Sequence, residues 1–503
     1  MTIRKILSFI PIAISLNCFA TTYYVSTSGS DSYSGTSTGA AFQTIAKAVS
    51  MASSGDIIYV RGGTYVLTST ITISKSGTDG NPISLLAYPD DNQPILDFST
   101  QAFGGKGISL SGNYWHIKGL RIKGAGDNGM YISGSNNKIE FCSFSENRDS
   151  GLQLSGGASN NQIINCDSYF NADPPDYGDA DGFAVKMDVG SGNSFKGCRS
   201  WMNCDDGWDG YLRPADDVTT TLENCWTWRN GYFKDGTDAG ASANGNGFKM
   251  GGSDDKTLKH NFILKNCLAF YNKDKNFDQN SNKGSMTLYN CTAFGGSRNF
   301  VISTDLAAGK TATLTNCVSL NGTYQLGTYV VQQTNSWMAP FTTTSDDFVT
   351  IDTAGVSKPR FTDGSLPNIT FMHPVQGSDL VDAGTDVGIP FLNSKPDLGF
   401  FEFGTPPTEG TILFIGKLEN NEKLTIYPSI TNNELYISAN SNELQSRNIL
   451  IFNIAGQKFE NFGISKSNNS NIINLNVSKL PAGLYFCQMI VGGKTIQGKF
   501  IKQ

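Results

Sequence analysis

The sequence predicts an all-β protein: a parallel β-helix with an N-terminal capping helix, followed by a small C-terminal region of strands. Two repeated features predict the β-helix. A cysteine ends a short apolar stretch in seven segments, several of them about two dozen residues apart, and an asparagine follows five residues later in five of them. Short strands and polar turns repeating at this interval are typical of a solenoid whose coils pair about 4.8 Å apart.

The two repeats have structural interpretations. If the coils are in register, the cysteines form a row: Cys142, Cys166, Cys198, Cys225, Cys267, Cys291 and Cys317. We expect buried, reduced thiols, because cysteine packs as a small apolar residue; disulfides are the alternative in an exported protein. The asparagines are expected to form an amide ladder that satisfies turn backbone groups: Asn147, Asn171, Asn203, Asn230 and Asn272.

Both ends of the β-helix have candidate closing segments. Residues 41–52 have helical apolar spacing and are expected to cap the open N-terminal end. Residues 381–402 are expected to form the closing coil.

The first twenty residues are expected to be a secretory signal. Arg4 and Lys5 precede an apolar run of about eleven residues that ends at Leu16, which is too short to span roughly 30 Å of hydrocarbon. Cleavage is expected after Ala20, with a lipoprotein role for Cys18 as the alternative. No later stretch has the length of a membrane helix, so we expect an exported, soluble protein.

A composition shift follows Gly404. Residues 405–421 are expected to be a linker, and residues 422–503 contain alternating strand patterns. Residues 480–486 (LPAGLYF) and 498–503 (GKFIKQ) resemble the C-terminal sorting domain of type IX secretion cargo, a small β-sandwich. Residues 427–430 (YPSI) depart from the usual Tyr-Pro-Asn-Pro, and a carbohydrate-binding or spacer β-sandwich is the alternative. The resemblance implies the type IX secretion machinery as a partner and a secreted or cell-surface location.

Charge and histidine content exclude several functions. The chain has 38 basic and 44 acidic residues, a net charge of −6, without Lys/Arg-rich blocks, which argues against nucleic acid as a partner. Its three histidines are far apart in sequence. A multi-histidine metal site and a histidine-based triad are therefore not expected.

A second repeat consists of a polar residue followed by Gly and a large apolar residue. Aligning these repeats brings charged residues together. This register places Asp181 beside Asp206 and Asp209 beside Lys249, with Asp205 adjoining them. Carboxylates this close repel one another, and a hard cation would compensate; Ca²⁺ accepts irregular carboxylate geometry better than Mg²⁺. The alternative is that Asp205, Asp206 and Asp209 only solvate a turn.

Three segments carry a more specific resemblance: residues 179–186 (DADGFAVK), 205–209 (DDGWD) and 245–252 (GNGFKMGG) resemble the signature segments of polysaccharide lyase family 9. Those enzymes are right-handed parallel β-helix pectate lyases. The resemblance extends over most of residues 21–404, the expected catalytic domain. It implies polygalacturonate as substrate, Lys249 as catalytic base, and a Ca²⁺ site formed by four aspartates: Asp181, Asp205, Asp206 and Asp209.

Lys186 and Arg213 lie near the cluster in this register and are candidate substrate-binding residues; a surface arginine before Pro214 is the alternative for Arg213. We expect a monomer. Two other functions remain open. A β-helix glycoside hydrolase would use Asp205, Asp206 and Asp209 as acid and base and leave Lys249 idle. A noncatalytic surface adhesin would explain export but not the cluster.

Overall fold

The computed structural model describes residues 20–404, except 90 and 362–363, and the following parts of the C-terminal region: 425–427, 430–431, 434–438, 449–453, 458–459, 463–466, 472–481, 483–491 and 494–502. The predicted signal peptide, apart from Ala20, and the predicted linker lie outside the described residues.

The chain forms two compact units. The β-helix unit runs to Ser345 and includes Asp379–Val387 and Asp397–Phe401. The C-terminal unit comprises Asp346–Ser378, Gly388–Pro396 and the chain from Glu402. The predicted catalytic domain, residues 21–404, thus contains segments of both units.

Three parallel sheets form the β-helix: ten coils each contribute one strand to each sheet in turn, and sheet A has one further strand at each end. Sheet A has twelve strands: Thr22–Val25, Ile57–Val60, Ile83–Ala87, Trp115–Lys118, Lys138–Glu140, Gln162–Ile164, Asn193–Lys196, Val218–Glu223, His260–Lys265, Met286–Tyr289, Ala312–Thr315 and Val331–Gln333. Sheet B has ten: Thr64–Val66, Ile95–Asp97, Arg121–Lys123, Ser143–Ser145, Asp167–Tyr169, Arg199–Trp201, Trp226–Trp228, Leu268–Phe270, Thr292–Phe294 and Val318–Leu320. Sheet C also has ten: Ile71–Ile73, Ile108–Leu110, Met130–Ile132, Leu152–Leu154, Phe183–Val185, Trp208–Asp209, Phe248–Lys249, Lys275–Asp278, Arg298–Ile302 and Thr323–Leu326.

In-register stacking builds the core. Ile117, Ile139 and Ile163 are register partners on successive strands of sheet A, and all three are fully buried. Residues on either side of each point outwards, because side chains alternate between the two faces of a strand. Burying one such side chain stabilises the fold by about 1.5–3 kcal/mol, so the apolar rows supply most of the driving force.

The cysteine row lies at the turn between sheets A and B. Asparagine precedes the cysteine in five coils because this position has a positive φ, such as 52° at Asn165 and 58° at Asn316, which asparagine tolerates better than most residues. The thiols are buried and donate to carbonyls, as Cys198 Sγ does to Ile163 O at 3.3 Å. None of the cysteines among the described residues forms a disulfide, so the expectation of reduced thiols is confirmed.

The asparagine ladder lies at the next turn, and it is also confirmed. The Nδ2 of each residue donates to the Oδ1 of the next, at 2.7 Å from Asn171 to Asn203 and 2.9 Å from Asn203 to Asn230. The same Oδ1 atoms accept backbone N–H groups, for example from Asn171 N at 3.3 Å. Buried amides are thereby satisfied by one another along the axis.

The predicted capping helix and parts of the predicted closing coil belong to the β-helix unit. The helix Ile45–Met51 is capped by Thr44, whose side chain accepts from Lys47 N, and it buries Ile45 in the core. At the other end, Gly399 N donates to Asn316 O at 2.8 Å. Two short 3₁₀ helices are Thr38–Ala40 and Ser345–Asp347. Within the described residues no helix has the length and apolar character needed to cross a membrane.

The C-terminal unit contains two further sheets. One is antiparallel and comprises Thr425–Tyr427, Glu434–Ser438, Ile472–Asn476 and Gly463–Lys466. The other comprises Ile430–Thr431, Lys494–Lys502, Gly483–Val491, Ile449–Asn453 and Lys458–Phe459. Leu435 and Ile437 from the first sheet share a buried cluster with Ile451, Tyr485 and Phe500 from the second, as expected for a β-sandwich.

Replacing a central member of the ladder should destabilise the β-helix. Asn203→Ala should lower the free energy of unfolding by about 3 kcal/mol, because it removes one hydrogen-bond partner from each of the buried amides of Asn171 and Asn230. The shift in the urea midpoint measures the effect. Asn92→Ala, at an exposed position, is the control. Equal midpoints for the two variants would contradict a stabilising ladder.

Candidate functional site

The charged residues meet on the outer face of sheet C. Asp209 is the register partner of Lys249, one coil further on. In the turn before these strands, Gly182 N donates to Asp206 O at 2.9 Å and Gly207 N donates to Asn246 O at 2.8 Å. The residues preceding the repeated glycines, Asp181 and Asp206 among them, therefore stack in a second polar row.

The glycines of this row are required by close approach to sheet B. A Cβ at Gly182 would lie 1.9 Å from Ser200 Oγ, and one at Gly207 would lie 2.1 Å from Thr227 Oγ1. Only glycine lets the turn pass these hydroxyl groups. The polar residue before it is thereby held beside its equivalents on neighbouring coils.

Three of the four predicted aspartates form a compact oxygen cluster. Asp181, Asp205 and Asp206 each offer a carboxylate oxygen, and these atoms lie within 4.8 Å of one another. Asp209 is outside this group and contacts two lysines instead: Lys249 Nζ is 3.3 Å from its Oδ1 and Lys186 Nζ is 3.5 Å from its Oδ2. All four carboxylates are buried.

Burial and mutual repulsion change the protonation of the cluster. Burial, reinforced by the neighbouring carboxylates, raises the pKa of Asp181 and Asp205 well above the usual range, and burial also raises the pKa of Asp206. Burial would raise the pKa of Asp209 too, but Lys249 and Lys186 outweigh it and lower that pKa. The protein therefore holds the three clustered carboxylates under electrostatic strain.

Lys249 contacts the cluster and is the most exposed of the six charged groups, at 8%. Its Nζ lies 2.9 Å from Asp206 Oδ2 and 5.9 Å from the centre of the Tyr211 ring. Burial alone would lower its pKa, but Asp206, Asp209 and the other carboxylates raise it well above the ordinary value. These carboxylates therefore favour the protonated form of Lys249.

The cluster fits a hard divalent cation. Asp206 Oδ2 and Asn246 Oδ1 are buried acceptors without a hydrogen-bond donor among the described residues; Asp206 Oδ2 is paired with the charge of Lys249 Nζ at 2.9 Å. Buried acceptors without donors are costly, and a cation with oxygen ligands would satisfy them. Asp205 is held in place from outside the coil, because its Oδ1 accepts from Asn244 N at 2.6 Å.

The two candidate substrate-binding residues have different surroundings. Lys186 is 4% exposed, and its Nζ donates to Asp181 Oδ2 at 2.8 Å, which leaves it facing the cluster and not the solvent. Arg213 is exposed, and its guanidinium is paired with Asp254 through Nε and Nη2. Tyr211 Oη donates to the same Asp254 carboxylate at 2.8 Å.

Sequence reasoning missed Tyr211, Asp254 and Asn246. Tyr211 follows Asp209 by two positions, so strand alternation could have placed it on the same face. Asn246 occupies the position before Gly247 that Asp206 occupies before Gly207, and the predicted register already contained that signal. Asp254 lies beyond the paired strands, where no repeat fixes its position.

The tryptophans of these coils mostly serve packing. Trp208 and Trp226 are buried. Trp201 and Trp228 stack on each other in sheet B, with ring centres 4.8 Å apart, so their faces cover each other.

Comparison with known proteins assigns the fold to a family. Residues 23–321, more than half of the chain, match the model described as the Pel9A-like, right handed beta helix region. The chain belongs to this family. This match confirms the predicted resemblance to polysaccharide lyase family 9 and the predicted right-handed β-helix. Residues 425–503 match a secretion system C-terminal sorting domain, which confirms the predicted sorting domain and a location outside the cell or at its surface.

Relatives of this Pel9A-like chain include named lyases. A pectate lyase L of Paenibacillus polymyxa (strain SC2) is 42% identical over 360 residues, covering 66% of this chain and 77% of that protein. The crystal structure of pectate lyase Pel9A matches with a TM-score of 0.71 at 35% identity, covering 76% of this chain and 96% of that one. A rhamnogalacturonan lyase structure matches with a TM-score of 0.63 at 26% identity, covering 71% and 97%.

Cation binding to the cluster should release protons. The raised pKa values of Asp181, Asp205 and Asp206 favour their protonated forms, whereas a bound cation needs them ionised. The Kd for Ca²⁺ should therefore rise as pH falls, by about tenfold per pH unit for each proton released. Calorimetry in buffers of different ionisation enthalpy measures the release. Asp235→Asn, at an exposed position, should leave it unchanged; a pH-independent Kd would contradict this account of the cluster.

Proposed function

We propose that the protein is an exported pectate lyase that cleaves polygalacturonate by β-elimination, with Ca²⁺ at the aspartate cluster and Lys249 as the base. The observation that carries this proposal is the buried cluster of Asp181, Asp205 and Asp206 in contact with Lys249, in a chain of the Pel9A-like family. The names of its relatives support pectate as the substrate.

The reaction needs a group that makes a weakly acidic proton removable. Elimination removes the proton at C5 of the uronate. The electron pair of the broken C5–H bond forms the new double bond between C4 and C5 as the bond from C4 to the sugar oxygen breaks. When bound, Ca²⁺ would draw charge from the substrate carboxylate and so stabilise the carbanion that develops beside it. Asp181, Asp205 and Asp206 would hold this ion, and Asp205 is fixed by the backbone of the loop at Asn244.

Lys249 Nζ is the proposed acceptor of the C5 proton. Its strand partner Asp209 and the contact with Asp206 hold the ammonium at the edge of the cluster, on the outer face of sheet C. The same carboxylates keep it protonated, so it can act as a base only when their charge is offset or the pH is high. This requirement favours activity at alkaline pH.

Substrate recognition is assigned to the residues beyond Asp209 on the same face. Tyr211 lies beside Lys249, and Arg213 is exposed next to it. An exposed guanidinium suits a uronate carboxylate, which would compete with Asp254 for it. Lys186 does not suit this role because its ammonium is buried against Asp181.

Two other functions explain less. A glycoside hydrolase would use two carboxyl groups, one as general acid and the other either as the base that activates water or as the nucleophile. That function gives no role to the contact between Lys249 and Asp206. A noncatalytic adhesin gives no role to the buried charges of the cluster, which are costly unless they are paired or coordinate a metal. A lyase acting on another uronate polymer shares the proposed chemistry.

The activity can be tested by ultraviolet absorbance. Polygalacturonate incubated with the protein at mildly alkaline pH and with Ca²⁺ should gain absorbance from unsaturated chain ends, and chelator should abolish the gain. New reducing ends without absorbance would point to hydrolysis. Neither signal on polygalacturonate, with absorbance on rhamnogalacturonan, would move the proposal to that polymer, and no signal on either would favour binding alone.

The base assignment predicts that charge cannot replace proton transfer. Lys249→Ala and Lys249→Arg should each lower kcat by about 100-fold or more, because a general base contributes that much and arginine does not give up its proton. The initial rate of absorbance increase measures the loss. Lys196→Arg, in an ion pair with Glu223 on sheet A, is the matched control and should retain its rate. Near-normal turnover by Lys249→Arg would refute the assignment.

A further inference from the structure

Lys186 is a second lysine in the site, and it is enclosed by protein. Its side chain is 5% exposed. The ammonium has three acceptors nearby: Asp181 Oδ2 at 2.8 Å, Asp179 O at 3.4 Å and Asp209 Oδ2 at 3.5 Å. Two of its three N–H donors are thus hydrogen-bonded to protein, and the ammonium is also within ion-pair distance of Asp209.

Lys186 contacts two of the four aspartates, Asp181 and Asp209. Asp181 uses its Oδ2 atom for Lys186 while its Oδ1 accepts from Asp206 N at 3.2 Å. Asp209 lies between Lys186 and Lys249 and is the one aspartate outside the compact oxygen cluster. Lys186 and Lys249 therefore contact different oxygen atoms of Asp209, Oδ2 and Oδ1, and of the two lysines only Lys186 pairs with Asp181.

Lys186 reduces the negative charge of the cluster. With the four aspartates and both lysines ionised, as a bound cation would require, these six groups leave two negative charges, and Asp149, close enough to Lys186 to act on its pKa, adds another when ionised. Without Lys186 one more negative charge would remain in a buried site, where interactions between charges are strong because water is excluded.

We propose that Lys186 is a positioning residue: its buried ammonium fixes the carboxylates of Asp181 and Asp209 and lowers the negative charge that the cluster presents to a cation, which favours a divalent over a trivalent ion. This inference rests on the proposed function, because it concerns the cation that the lyase reaction would use. Lys186 itself touches neither substrate nor the reacting atoms.

Comparing the binding of a divalent and a trivalent ion to the full-length protein tests the effect of the Lys186 charge on the cluster. Ca²⁺ binding is measured by calorimetry and Tb³⁺ binding by its luminescence. In Lys186→Met the preference for Tb³⁺ over Ca²⁺ should rise by about tenfold or more, because the lost positive charge adds attraction for each unit of cation charge. A purely structural role would weaken both ions alike and leave the ratio unchanged.

The matched control removes a buried ion pair elsewhere. Arg199 is 2% exposed and binds Asp167 through Nε at 2.9 Å and Nη2 at 2.7 Å on sheet B. Arg199→Met should cost stability in a similar way without changing the Tb³⁺ to Ca²⁺ ratio. A rise in this variant equal to that in Lys186→Met would overturn the proposal.

A second variant covers failure of the first to fold, which circular dichroism would reveal. Lys186→Gln keeps a donor for Asp181 but no charge, so its ratio should rise as well; a wild-type ratio in Lys186→Gln would overturn the proposal. If the wild type bound neither ion, both this inference and the Ca²⁺ part of the proposed function would fail. Wild-type binding with unchanged ratios in the variants would refute the role of Lys186 alone.

Discussion

The in-register pairing of successive coils is the constraint on which the rest of the molecule depends. Each backbone group of sheets A, B and C bonds to the next coil, so any residue type repeated at one position becomes a continuous row along the axis. Apolar rows fill the interior, thiols and amides line two turns, and the position before the repeated glycines is polar. The functional cluster is a local change of residue type in that polar row, made where glycine keeps the backbone close to sheet B.

The site combines this rigid placement with an unfavourable charge distribution. Asp181, Asp205 and Asp206 are buried together, and two lysines compensate part of their charge. Lys186 donates to Asp181 and to a backbone carbonyl group, whereas the side chain of Lys249 is more exposed, at 10% against 5%. Similar residues thus differ in role because of what surrounds them, and a bound cation would offset further negative charge.

Sequence patterns predicted the elements that repeats determine. The spacing of the cysteines and asparagines predicted stacked coils, and the repeated glycines placed Asp209 opposite Lys249. The resemblances to known families predicted the right-handed sense of the β-helix and the C-terminal sorting domain. The reach of long side chains was not predictable: Lys186 follows its strand, yet its ammonium returns to Asp181, five residues earlier, because two carboxylates attract it. Contacts from inserted segments, such as Asn244 with Asp205, were also missed, since no repeat fixes a loop. The roles of the site residues stay predictions.

The row of reduced cysteines has a consequence for how such a protein reaches its working form. These sulfur atoms contribute packing and weak hydrogen bonds and no covalent link between coils. Folding of the β-helix therefore requires no oxidant and no disulfide exchange, and reducing agents have no cross-link to break in it. Reducing conditions outside the cell therefore remove no cross-link from the β-helix of this protein.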